Sequence, residues 1–163
     1  MNRKLLEPML VVAVFVLDRL TKALTLKHLV PGPVEVLPFL KLTYVQNTGV
    51  AFGMFRDSNT FFIVFSAVLI AALLIFRRKL PDFSGSRAAA VYSGRAGLAL
   101  VLGGALGNLY DRLVYGFVVD FFDLSFFPAV FNVADSAITV GAVLLAIGMN
   151  LEDNRERKTD NRG

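Results

Sequence analysis

Cysteine is absent from the 163-residue chain, which excludes disulfides, thiolate nucleophiles, cysteine metal sites and lipidation of the chain itself. Histidine occurs once, at His28. A His-rich zinc or iron site cannot be assembled from it, and a Ser-His-Asp triad would depend on that one residue. Charge is scarce as well: 18% of residues are charged, below the quarter usual in soluble domains, while 55% are hydrophobic, above the usual range. Disorder is excluded, and an integral membrane protein is the first expectation. Any hydrolytic chemistry has to rest on carboxylates.

What is present is four apolar stretches, at about 8–26, 60–76, 88–109 and 130–150. Each is near the ~20 residues that a helix needs to cross the hydrocarbon layer. The expected fold class is therefore an α-helical integral membrane protein with four transmembrane helices, organised as a single membrane domain over 1–163 with a cytoplasmic tail at 151–163. The second stretch runs from Phe61 to Phe76 with Ser66 as its one polar side chain. The third carries Gly103 and Gly107, and the fourth Ala137 and Gly141, spacings that allow close helix packing in lipid. Arg3 and Lys4 ahead of an apolar run suggest a cleaved signal peptide, but Asp18, Arg19 and Lys22 interrupt that run and no small-residue cleavage site follows.

The formal net charge of +4 raises the question of an anionic partner. Its distribution answers it: ten of the 17 basic residues flank the stretches at 3–4, 77–87 and 155–162. They are expected to hold both termini and the middle loop in the cytoplasm, and no nucleic acid partner is implied. The remaining connections then lie together on the outer side of a bacterial cytoplasmic membrane. In the first, Leu40-Lys41-Leu42-Thr43-Tyr44 alternates apolar and polar side chains and Asn47-Thr48-Gly49 reads as a turn, so a small extracytoplasmic β-sheet is expected within 34–56, between the first two helices.

Ionisable groups in or beside membrane spans mark function by default. Asp18 and Lys22 share a helix face at i and i+4, and Asn108 and Arg112 repeat that spacing at the outer end of the third stretch. Asp120 stands in the second outer connection, and Asp135 sits roughly 7 Å below the outer surface at 1.5 Å per residue. These two carboxylates can meet at one shallow depth. Repulsion in a poorly solvated site makes them share one proton, so that one activates water while the other polarises a carbonyl, with no metal or cofactor required. Each aspartate also has a structural reading, as a turn or a helix cap, although Asn132 is the better cap for the fourth helix and leaves Asp135 without a capping role.

Five ordered blocks carry a resemblance: Asp18-Arg19-Leu20-Thr21-Lys22, Asn47-Thr48-Gly49-Val50-Ala51-Phe52-Gly53, Gly103-Gly104-Ala105-Leu106-Gly107-Asn108-Leu109-Tyr110-Asp111-Arg112, Val118-Val119-Asp120-Phe121 and Phe131-Asn132-Val133-Ala134-Asp135-Ser136. They resemble the bacterial lipoprotein signal peptidases, or signal peptidase II, a family of four-span aspartyl endopeptidases. The resemblance implies that Asp120 and Asp135 are the catalytic pair. It implies as substrate a diacylglyceryl-modified prolipoprotein cut just before its lipidated cysteine. It further implies that Asn47, Asn108 and Arg112 line the substrate pocket, where globomycin-type inhibitors also bind, and that Asp18, Lys22, Asp111 and Asn132 support it. Two rival readings are a small proton or ion carrier and a membrane assembly subunit; neither accounts for a shallow acidic pair.

Overall fold

Helix α1 (Arg3–His28) begins ahead of the expected start at Pro8 because a charged residue anchors its first turns. Glu7 is buried, accepting from Arg77 Nε through one oxygen and from Arg95 Nη1 at 2.8 Å through the other. This clamp ties α1 to the segments that follow α2 (Asn59–Phe76) and begin α3 (Ala88–Val114). A final helix, α4 (Val133–Asp160), completes the bundle, and the computed structural model describes residues 3–49, 59–80 and 88–160.

Helix α2 has a mean hydropathy of 2.5 and buries none of its residues. It packs on α3 and leaves Phe61, Val64, Phe65, Val68, Leu74 and Ile75 exposed, the surface of a helix solvated by lipid. With Val133–Leu151 it is one of two helices, among the described residues, long and apolar enough to cross a membrane. Helices α1 and α3 have the length, at 26 and 27 residues, but carry charges that lower their hydropathy. Several of those charges point inward: Glu7, Asp18, Lys22, Arg95 and Asp111 are all buried.

Helix α3 is the axis of the bundle, packed against the other three. Its glycines serve two neighbours. A Cβ on Gly107 would stand 2.5 Å from Asp18 Oδ2 on α1, and one on Gly97 would stand 2.5 Å from the backbone nitrogen of Leu145 on α4. Opposite Gly97, α4 presents Gly141, and one heptad earlier the buried Ala134 lies against Gly104.

The sheet departs from expectation. Strands β1 (Val34–Leu37) and β2 (Leu40–Asn47) do lie between α1 and α2, but a third strand, β3 (Val118–Leu124), comes from the connection between α3 and α4. The order is β1-β2-β3, antiparallel throughout. Residues 118–121 are all buried, so β3 lacks the in-and-out alternation by which a half-covered strand is recognised. Between the pairs Leu42 with Phe122 and Val45 with Asp120 the register shifts, two residues of β2 opposing one of β3. This bulge brings the end of β2 beside Asp120.

Other boundaries move modestly. Helix α3 runs on to Val114, and α4 starts at Val133 rather than 130 and continues through most of the expected tail to Asp160. A 3-10 turn at Arg77–Lys79 ends α2. Residues 50–56 of the expected outer segment, and Arg87 with the rest of its loop, lie outside the described residues.

Candidate functional site

Two features of the chain carry Asp120 and Asp135 to one place. Asp120 lies on β3, 1% exposed, and Asp135 lies in the first turn of α4 beside a cleft. Asn132 joins them. Its side-chain Nδ2 donates to Asp120 Oδ1 at 2.6 Å, while its backbone N–H donates to Asp135 Oδ2 at 3.2 Å.

The same residue caps α4. Asn132 Oδ1 accepts from the backbone N–H of Asp135 at 2.9 Å, so Asn132 and Asp135 exchange reciprocal bonds three residues apart, the capping-box arrangement. This corrects the expectation that Asp135 has no capping role: it completes the cap through one oxygen and offers the other to the site. A further cap comes from α1, where Asp18 Oδ1 accepts from the backbone N–H of Ala134 at 3.1 Å.

Around the pair, every neighbouring amide has its orientation fixed. Asn47 Oδ1 accepts from Gly49 N–H at 2.9 Å, closing the expected turn, so its Nδ2 is left to donate to Asp120 Oδ2 at 2.8 Å. Asn108 Oδ1 accepts from Lys22 Nζ at 2.8 Å, so its Nδ2 donates to Asp135 Oδ1 at 2.7 Å. Each of the four carboxylate oxygens therefore meets one fixed donor.

Beneath this layer is a charge quartet. Lys22 Nζ reaches Asp18 Oδ2 at 3.0 Å and Asp111 Oδ2 at 2.8 Å, the expected i, i+4 pair plus a partner from α3. Arg19 spans the same two carboxylates, at 2.8 Å to Asp18 and 2.5 Å to Asp111, and lies over the Tyr110 ring. Asp111 also accepts from the backbone N–H of Val119 at 3.1 Å, which fixes β3 one residue before Asp120. Arg19 was not expected in this role. Its signal is its position between Asp18 and Lys22, next to the apolar run Met9 to Leu17.

Arg112 is held differently. It donates to the backbone oxygen of Asn108 at 3.4 Å and packs over the Phe62 ring, with no carboxylate partner among the described residues. Nearby, Asn59 donates to the backbone oxygen of Arg112 and ties the start of α2 to this end of α3.

Beside Asp135 opens a cavity of about 540 Å³, lined by Asn47, Leu124, Phe127, Val130 and Phe131 and by the next turn of α4 at Thr139. Its walls are mostly apolar. Burial pushes the Asp120 carboxyl up to about 7, and the neighbouring Asp135 pushes the same way; the donors on Asn47 and Asn132 and the Lys22 charge oppose but do not cancel this. The arrangement is an acidic pair able to retain a proton near neutrality at the edge of an apolar cleft.

The sequence profile of the family described as signal peptidase (SPase) II matches residues 10–151. A lipoprotein signal peptidase from Caldanaerobacter subterraneus subsp. tengcongensis is 49% identical over 83% of this chain and 91% of its own. Another, from Desulfitobacterium hafniense, is 44% identical over 90% of this chain and 94% of its own. A bacterial membrane enzyme solved by the in meso method at 2.3 Å resolution superposes with a TM-score of 0.77 at 31% identity, covering 91% of this chain and 88% of that one. With the profile matched from α1 into α4 and relatives this similar over nearly their whole length, the chain belongs to the signal peptidase II family.

Proposed function

We infer that the protein is a membrane protease that removes signal peptides from lipoproteins, and that it does so with Asp120 and Asp135. The observation that carries the second part is the pair itself: two carboxylates from different elements, bridged by Asn132, at the edge of an apolar cleft. One, ionised, takes a proton from water as the oxygen attacks the scissile carbonyl. The other, protonated, donates to that carbonyl's oxygen, and the proton is returned to the departing amine. Asn47 and Asn108 keep the carboxylates in place and lie where substrate enters. Arg112, which makes no ion pair among the described residues and lies within the field of Asp135 and Asp120, meets an acceptor on the substrate.

The substrate is a diacylglyceryl-modified prolipoprotein, cut just before its lipidated cysteine. A bond beside a lipid anchor lies near the headgroup boundary, the depth of a residue in the first turn of α4. The apolar cleft suits such a substrate and inhibitors of the globomycin type. We read the chain as one domain of four spans in the bacterial cytoplasmic membrane, with both termini and the tail inside and the aspartates near the outer face. The inward-facing charges of α1 and α3 support four spans, because they leave apolar residues such as Met9, Val12, Val16 and Leu20 outermost on α1. An ion carrier would need a polar route through the bundle, whereas Leu98, Ala99, Val101, Leu102 and Ala105 fill its core.

Purified protein in detergent is expected to cleave a diacylglyceryl-modified prolipoprotein peptide with a chelator present and to leave the unmodified peptide intact. Equal cleavage of both would overturn the substrate assignment. The pH dependence follows from the shared proton. Turnover should fall as pH rises through about 7, where the pair loses that proton, and fall again in acid as both carboxyls protonate. A kcat profile flat from about pH 6 to about pH 9 contradicts the mechanism. The raised Asp120 value has a second consequence. Its contribution to stability is complete below its ordinary value of 3.8 and is lost as pH rises through about 7.

A further inference from the structure

At the opposite end of the bundle a second built cavity lies outside the proteolytic machinery. It has a volume of about 280 Å³ and is lined by Arg77, Arg78, Leu80 and Arg95. Glu7, which anchors it, lies roughly 16 Å along α1 from Asp18. Three guanidinium groups from two segments converge there, and Glu7 is their carboxylate partner among the described residues. Counted over the described residues, the three arginines outnumber their one carboxylate.

Glu7 does more than offset charge. By accepting from Arg77 Nε and Arg95 Nη1 it fixes both side chains, and Arg95 is further held by a bond from Nη2 to the backbone oxygen of Leu80. The terminal amino groups of Arg77, and all of Arg78, have no acceptor among the described residues. A planar fork fixed by a carboxylate through Nε, as in Arg77, turns its terminal amino groups toward the oxygens of a phosphate. A topology anchor alone needs charge near the span and no convergence.

What adjoins the cavity identifies the source of that phosphate. Leu74 and Ile75, 50% and 65% exposed, lie in the last turn before the arginines on a helix that buries nothing. A ligand with a phosphate at Arg77 and Arg78 continues naturally into hydrocarbon along α2. We propose that this cavity binds the phosphate of an anionic phospholipid whose acyl chains lie along the last turns of α2. Basic pockets between helix ends suit such headgroups, and a zwitterionic lipid places its own cation against the arginines.

Native mass spectrometry of the full chain, released from micelles containing equal phosphatidylglycerol and phosphatidylcholine, tests this. One phosphatidylglycerol should be retained in preference to phosphatidylcholine. Arg77→Gln combined with Arg78→Gln should weaken that retention roughly 30-fold, and Arg78→Gln alone roughly fivefold, at about 1 kcal/mol per arginine. Arg78 is exposed and makes no bond to the protein among the described residues, so the single variant keeps the fold. Lys27→Gln, exposed at the other end of α1, should change nothing. Equal retention of the two lipids, or an unaffected Arg78→Gln, overturns the proposal. Displacement of phosphatidylglycerol by millimolar inorganic phosphate overturns the lipid as the source and leaves a free-phosphate site.

Discussion

Asp120→Asn and Asp135→Asn should each lower kcat on a lipidated prolipoprotein peptide by at least roughly 1,000-fold, because each removes the proton carrier on one side of the reaction. The isosteric change keeps side-chain volume, so loss of activity cannot be ascribed to a cavity. It does alter hydrogen bonding in a definite way. Both oxygens of Asp120 accept from amides that cannot turn round, Asn47 being fixed by Gly49 N–H and Asn132 by Asp135 N–H. An asparagine at 120 sets a donor against one of them, at a cost of about 1–3 kcal/mol. Against this stands the relief of a buried carboxylate whose ionisation is already disfavoured. The variants should therefore stay folded, with melting temperatures in detergent close to that of the parent. Full turnover by either variant would sink the aspartyl pair.

The mutual orientation of these groups was only partly legible in the sequence. The spacing of Asp18 and Lys22 announced a pair on one face of α1, and that pair exists. The resemblance points to Asn108 and Asp111 but not to their contacts with Lys22, and the bond from Ala134 to Asp18 is hidden because a backbone amide has no signature in a sequence. The capping role of Asp135 is hidden for a related reason. Asn132 was recognised as the helix cap, but the cap is reciprocal, and an aspartate three residues on can serve both the cap and the site.

Strand β3 illustrates a second limit. Half-covered β2 showed itself by alternation, whereas β3 is covered on both faces through Phe121 and resembles any short apolar connection. Glu7 escaped notice because a lone acid near the start of an apolar helix looks like a flanking charge; only the fold brings Arg77 and Arg95 to it. Helix periodicity and the order of the apolar stretches were readable from local spacing. Contacts between elements distant in the chain were readable only where a recognisable motif stood at both ends.

Lys22→Met should be the most destabilising substitution in the protein that touches neither aspartate of the pair. Lys22 is 1% exposed and uses all three of its donors, on Asp18, Asp111 and Asn108. With Arg19 it balances two carboxylates that are completely buried. Methionine fills much of the same volume but leaves one negative charge uncompensated in the interior, a loss of about 3–5 kcal/mol. Exposed Lys27→Met provides the comparison and should shift the melting temperature little. A second effect separates positioning from stability. Without Lys22, Asn108 Oδ1 keeps only the longer bond from Asn132 Nδ2, at 3.3 Å, and holds its Nδ2 toward Asp135 less firmly, so kcat should fall even at temperatures where the variant is fully folded, while KM changes less. Equal melting temperatures for the two lysine variants would refute the charge quartet. Unchanged kcat in folded Lys22→Met would refute the orientation of Asn108 as the means by which α1 acts on the site.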